Sequence, residues 1–94
     1  MTTHSPNRHE DPQALALAAL AATLGEERRA RRFLDLTGIG TDELRIRAGE
    51  PTLLAALIAF LEAHEPDLLS VAEAIGVKPE ELVSTRHRLE RGES

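Results

Sequence analysis

The residues with the clearest chemical potential in this sequence are six arginines between positions 28 and 47. They meet only three acids in that stretch, which gives it a local charge of +3. This arginine cluster consists of Arg28, Arg29, Arg31, Arg32, Arg45 and Arg47. Guanidinium groups pair with carboxylates and phosphates in a planar, two-pronged geometry. Such a face could bind an acidic protein, a phosphate or RNA, but an ordinary solvated helix face is the favoured interpretation of this pattern.

The remaining charge of the chain is predominantly negative. Residues 50–81 hold seven acids and only Lys78 as a base, a local charge of −6, and the 94 residues together have a net charge of −5. Such a field repels nucleic acid and anionic membranes. No aromatic residue is interleaved within residues 28–32, so stacking on nucleic-acid bases is unsupported. The composition favours a protein over a nucleic acid or a membrane as the partner.

A pattern typical of a helix-turn-helix occupies residues 66–91. Ala72, Gly76 and Val77 have the spacing of its small residue, turn glycine and first aliphatic residue. The cations that would contact nucleic acid are Lys78, Arg86, Arg88 and Arg91. However, Glu80 and Glu81 begin the helix that would enter the major groove, where carboxylates oppose the phosphates. Nucleic-acid binding is therefore the alternative to protein binding, and the disfavoured one.

No combination of residues indicates catalysis or a bound cofactor. The chain has no cysteine, which excludes thiolate chemistry. His64 and Glu65 begin like the HExxH zinc motif, but Leu68 stands where that motif has its second histidine. His4 together with a processed amino terminus could bind Cu(II) or Ni(II), an arrangement that arises often by coincidence. We expect no enzyme, no cofactor and no metal.

Proline and glycine divide the chain into six predicted helices. Prolines at 12, 51, 66 and 79 each begin an apolar-periodic stretch, where their missing N–H would be unpaired in any case. Five glycines follow such stretches and predict left-handed helix ends: Gly25, Gly38, Gly49, Gly76 and Gly92. The helices are predicted at residues 12–24, 26–37, 42–48, 51–64, 66–75 and 79–91. No stretch alternates with period two, so no strand is predicted.

The fourth predicted helix organises the expected fold. It is apolar on all sides from Leu53 to Leu61, which places it at the centre of a bundle. The first helix carries leucines on one side and alanines on another, and we expect its Ala-rich face to pack within the chain. The sequence thus predicts an all-α fold, a compact orthogonal bundle of five or six short helices around a central apolar helix at about residues 51–64. Residues 11–91 would form this single domain, between a disordered polar tail at 1–10 and a frayed end at 92–94.

Several segments together resemble a known protein family. These are PQALALAALAATL, RFLDLTGI, DELR, FLEAHEPDLLSVAEAIGV and PEEL, spread from Pro12 to Leu89. They are similar to a family of short α-proteobacterial proteins known only as a domain of unknown function. The chain departs from the family pattern after the first helix, at GEERRARR. The resemblance implies a compact α-helical fold and no activity, so no functional residue is carried over from it.

These observations predict a non-enzymatic protein-interaction module in the cytoplasm. The start of the chain lacks the apolar core of a signal peptide, and the longest apolar run has nine residues, against ~20 for a membrane span. The partner would bind either the Arg-rich face at residues 28–47 or the Ala-rich apolar face of the first helix, at an exposed groove beside that helix. We expect a monomer or a weak homodimer. A small-molecule carrier would instead need a cavity around Leu57, Phe60 and Leu61.

Overall fold

The computed structural model describes residues 11–92, which form six α-helices. They are α1 (Pro12–Leu24), α2 (Glu27–Thr37), α3 (Thr41–Arg47), α4 (Pro51–Glu62), α5 (Glu65–Ile75) and α6 (Pro79–Glu90). Each boundary lies within two residues of its predicted position, and no strand occurs in residues 11–92. The all-α bundle is therefore confirmed. The expected disorder of residues 1–10 and fraying of residues 93–94 lie outside the described residues.

The helices begin at the residues that the sequence marked. Proline occupies the first or second position of α1, α4, α5 and α6. The carboxylate of Asp11 accepts hydrogen bonds from the backbone N–H groups of Gln13 and Ala14, at 3.1 and 3.2 Å. Glu26 accepts the N–H of Arg29 at 2.7 Å in the same way. Side chains thus satisfy N–H groups that have no partner within a helix.

Two of the glycine stops have the predicted left-handed geometry between helices. Gly38 (φ 72°) donates its N–H to Leu34, four residues back. Gly76 (φ 77°) belongs to a Schellman motif, in which Val77 donates to Ala72 at 2.9 Å. The prediction was wrong for Gly25, which continues the right-handed helical geometry at φ −75°, and for Gly49, since the positive-φ glycines of residues 11–92 are those at 38, 76 and 92. Gly25 is followed by α2 after a single residue, so a tight right-handed turn joins the two helices.

α4 lies against α1, α5 and α6 and supplies the largest share of the core. Leu57, Ile58 and Leu61 are fully buried, together with Leu54. The expectation that this helix is enclosed on all sides was wrong at one edge, because Ala56 and Ala59 are exposed. Three neighbouring helices leave the remaining side of α4 open, where Pro51 and Thr52 are exposed together with these alanines.

The Ala-rich face of α1 packs within the chain, as expected. Ala16 and Ala19 are completely buried, and α1 contacts α2, α4, α5 and α6. Small side chains at these positions let neighbouring helices approach closely. This face is therefore unavailable to a partner, whereas Leu17 and Leu24 on another side of α1 remain 37% exposed.

None of the six helices has the combination of length and apolar character needed to span a bilayer. The cytoplasmic location stays a prediction.

Replacing Leu57 with alanine tests the central position of α4. The side chain is fully buried, so Leu57→Ala should lower the free energy of unfolding by about 2–5 kcal/mol through lost burial and a residual cavity. Urea unfolding followed by circular dichroism measures this change. The control is Leu36→Ala, at a position 72% exposed, which should shift stability by less than about 0.5 kcal/mol. Equal midpoints for both variants would contradict a core built on α4.

Candidate functional site: an apolar groove and a divided arginine cluster

The structure divides the arginine cluster into buried and exposed members. Arg29 is only 9% exposed. It lies one turn before Phe33 on the core side of α2, which turns its guanidinium inward. The guanidinium donates to the carbonyl of Ala22 at 3.1 Å and to Ser70 Oγ at 3.4 Å, and lies 3.9 Å from Asp67. Arg29 therefore joins α2 to α1 and α5, and its side chain does not face a partner.

Arg32 is tied to the same acid but remains half exposed. It forms an ion pair with Asp67, and its guanidinium carbon lies 5.6 Å from the centre of the Phe60 ring. Phe60 in turn contacts Phe33 edge to face, with 5.3 Å between ring centres. The sequence showed no aromatic residue interleaved with the arginines of α2; folding brings one there from α4. The resulting cation–π contact holds Arg32 against the bundle.

Asp67 is the residue of this network that the sequence did not single out. It stands in the first turn of α5, where an acid stabilises the helix dipole. In the structure it is 9% exposed and receives both Arg29 and Arg32. Its pairing depends on α2 lying beside the start of α5, which no local pattern indicates.

The two arginines of α3 pair with acids of their own neighbourhood. Arg47 lies 3.0 Å from Glu50 and 3.2 Å from Glu43, and these hydrogen bonds raise the pKa of Arg47 above its usual value. Arg45 lies 3.3 Å from Asp42, and the two side chains are 79% and 92% exposed. Two acids neutralise the charge of Arg47. The Arg45–Asp42 pair, in contrast, is exposed to water, and either residue can readily pair with another charged group.

Arg28 and Arg31 are both exposed on the outside of α2. Arg31 lies 3.5 Å from Glu27, with side chains 70% and 87% exposed. Within residues 11–92, Arg28 forms no ion pair. Together with Arg32, Glu27 and Asp35 they line an open concavity of about 580 Å³ on the outside of α2. Because acids share this surface, it is far less positive than the local sequence suggests.

An apolar groove separates α1 from α2 and α3. We call it the α1–α3 groove; its volume is about 400 Å³. Six apolar side chains and two polar ones line it: Leu20, Leu24, Ala30, Leu34, Leu44, Ala48, Thr41 and Arg45. Leu20 and Leu44 are each 5% exposed, whereas Leu24 at the edge is 37% exposed. The groove is therefore an opening into the side of the core, with an arginine at its rim.

The cations of the helix-turn-helix pattern are not arranged like those of a surface that reads the major groove of DNA. Arg86 pairs with Glu62 of α4 and, at 3.0 Å, with Glu90 of α6, and its side chain is only 20% exposed. The hydrogen bonds to Glu62 and Glu90 raise the pKa of Arg86, with burial opposing them. Lys78 precedes α6 and Glu80 is exposed in its first turn. Arg88 is half-buried on α6 and Arg91 follows its end.

The described part of the chain contains no cluster of three His, Asp or Glu side chains that could hold a metal ion. His64 is exposed at the residue before α5, directly after the last turn of α4. The binding arrangement considered for His4 lies outside the described residues.

Fold and surface together define a small all-α domain with a groove into its core and a partly compensated arginine surface. The chain belongs to the family described as "protein of unknown function (DUF3572)", which matches residues 9–92. This confirms the resemblance to a family of unknown function; the α-proteobacterial origin stays a prediction. Neither a curated protein nor a solved structure matches the sequence significantly.

The structural importance of Asp67 can be measured with one isosteric change. Asp67→Asn removes the charge that compensates two arginines, one of them buried, and should lower the free energy of unfolding by about 2–4 kcal/mol. Asp42→Asn is the matched control, since that carboxylate is 92% exposed and should contribute less than about 0.5 kcal/mol. Chemical denaturation at neutral pH compares the two. Similar small losses would show that the Asp67 network does not hold α2 to α5.

Proposed function

We propose that this protein is a non-enzymatic protein-interaction module whose partner binds in the α1–α3 groove. The single observation that carries the proposal is the lining of this groove: six aliphatic side chains from α1, α2, α3 and the residue after α3 surround a space open to solvent. Apolar surface that stays accessible in a small domain is typical of binding sites for other polypeptides.

The shape of the groove favours a helix of the partner. Its walls are helices, and Ala30 and Ala48 leave room for a partner side chain between the larger leucines. An amphipathic helix binds such a surface by inserting apolar residues spaced three or four positions apart. Burial of these residues against Leu24 and Leu34 would supply most of the affinity.

The exposed arginines have a secondary role in this proposal. Arg45 lies at the rim of the groove, and Arg31 neighbours Leu34 on the surface of α2, three residues before it. Their own acids, Asp42 and Glu27, are highly exposed and hold them weakly. Acidic residues flanking the apolar face of a partner would therefore accelerate its association and select its orientation more than they would increase its affinity.

Nucleic-acid binding through residues 66–91 receives less support. Arg86, in the middle of the helix that would be read against DNA, is engaged with two carboxylates and mostly covered. An exposed Glu80 stands where that helix would meet the phosphates. We therefore prefer the groove to this surface.

Blocking the groove should abolish partner binding without unfolding the domain. Leu24→Glu places a charge at an edge that is already 37% exposed, and the partner would have to bury that charge. Tagged protein would be used to capture partners from the native cell extract, with quantitative mass spectrometry as the readout. We expect a defined partner to be enriched by the wild type and lost by at least tenfold with Leu24→Glu.

The matched control carries the same substitution elsewhere on the surface. Leu69 on α5 is 48% exposed and does not line the groove, so Leu69→Glu should retain the partner. A second pair, Ala30→Gln inside the groove and Ala74→Gln on the exposed side of α5, repeats the comparison without any change of charge. Identical partner profiles for all four variants, with thermal melts showing folded protein, would contradict the groove as the binding site.

The nucleic-acid alternative makes a separate prediction. We expect no mobility shift of duplex DNA or single-stranded RNA at physiological salt, because the accessible charge of residues 66–91 is mixed. If a shift occurs and Arg88→Ala and Lys78→Ala both weaken it while Arg28→Ala does not, nucleic acid is the partner class and the groove proposal is wrong.

A further inference from the structure

The outer side of α3 carries an apolar residue that residues 11–92 leave uncovered. Ile46 is 83% exposed, more than any other large hydrophobic side chain described. It lies four residues after Asp42 and three after Glu43, so that acids surround it on the helix surface. The adjacent side of the same helix, with Thr41 and Arg45, lines the α1–α3 groove. One short helix thus presents an apolar and acidic face beside a groove that is apolar with a basic rim.

We propose that a second copy of this chain covers the α1–α3 groove, through an antiparallel contact between the two α3 helices. The exposed Asp42–Arg45 pair fixes the register. When the helices run antiparallel with Asp42 opposite Arg45 of the second copy, Arg45 lies opposite Asp42 of that copy. Both ion pairs form at once, as an isologous two-fold interface requires.

The same register places the exposed isoleucine at the groove. In an antiparallel pair with residue 42 opposite residue 45, residue 41 is opposite residue 46. Ile46 therefore lies opposite Thr41 of the second copy. Thr41 lines the groove, and Ile46 therefore reaches its mouth. Both Ile46 side chains are covered in this arrangement, because each contacts the mouth of the α1–α3 groove of the other copy.

Forming this contact requires each chain to separate its own Asp42–Arg45 ion pair, which loses little electrostatic energy. Within one chain Asp42 and Arg45 are 3.3 Å apart and almost fully exposed, so separating them loses little. Each charge finds an equivalent partner across the interface. Because α3 has only seven residues, the interface is small, and we expect a dissociation constant between roughly 10 μM and 1 mM.

Self-association uses the same groove as the proposed function but does not depend on it. Where both occur, the second copy and the partner compete, and a high protein concentration reduces partner binding. The two proposals fail separately. A protein that stays monomeric but loses its partner with Leu24→Glu disproves only the self-association. A protein that dimerises but captures no groove-dependent partner disproves only the proposed function.

Complementary charge reversals test the register. Sedimentation velocity from about 5 μM to 1 mM should show a monomer–dimer equilibrium for the wild type. Asp42→Arg alone places arginine opposite arginine, and Arg45→Asp alone places aspartate opposite aspartate, so each variant should dimerise at least about tenfold more weakly. An equimolar mixture of the two variants should dimerise again, because a heterodimer restores both ion pairs.

Two controls separate this result from a general effect of charge or polarity. Glu80→Arg reverses another exposed first-turn acid, on α6, and should dimerise like the wild type. Ile46→Gln should weaken dimerisation at least about tenfold while Leu69→Gln should not. A wild type that is monomeric up to 1 mM, a dimer unaffected by Ile46→Gln, or a mixture that fails to recover dimerisation would each overturn the proposal.

Discussion

The structure depends on one constraint: a short chain with only two phenylalanines must cover the apolar helix α4 with its other helices. Aliphatic side chains must fill the core, and α4 supplies a continuous set of them. α1, α5 and α6 cover this set, and the buried alanines of α1 allow that helix to approach closely. α2 and α3 pack against α4 much less than these three helices do. They lie at the periphery, and the α1–α3 groove is the space between them and α1.

The peripheral helices are held by different forces. α2 buries Phe33 and is tied to α5 through Arg29, Arg32 and Asp67. In such a network the attraction between the charges is offset by the hydration that Arg29 and Asp67 lose on burial, so it orients the helices more than it adds net stability. α3 buries only Leu44 within the domain. The wall of the groove formed by α3 is therefore its least anchored part, and it also carries the exposed Ile46.

Because their surroundings differ, the arginines have different roles. An arginine beside a buried carboxylate, such as Arg29, stabilises the contact between helices. One paired only with a highly exposed acid, such as Arg45, keeps its charge available to another molecule. Net charge counted along the sequence does not separate these cases. The positive surface that remains is small and lies next to apolar side chains.

The sequence by itself determined the six helices, their ends and much of the core. Prolines, capping acids and the apolar stretch of α4 act over a few neighbouring residues, so they can be recognised without knowing the fold. Only the tertiary structure decided that Arg29 is buried, that Phe60 lies under Arg32, and that the leucines of α1 form one side of a groove. Each of these depends on residues about 20 to 40 positions apart meeting in space. Which side of a helix stays exposed depends on which other helices pack against it, and this is a property of the whole packed chain.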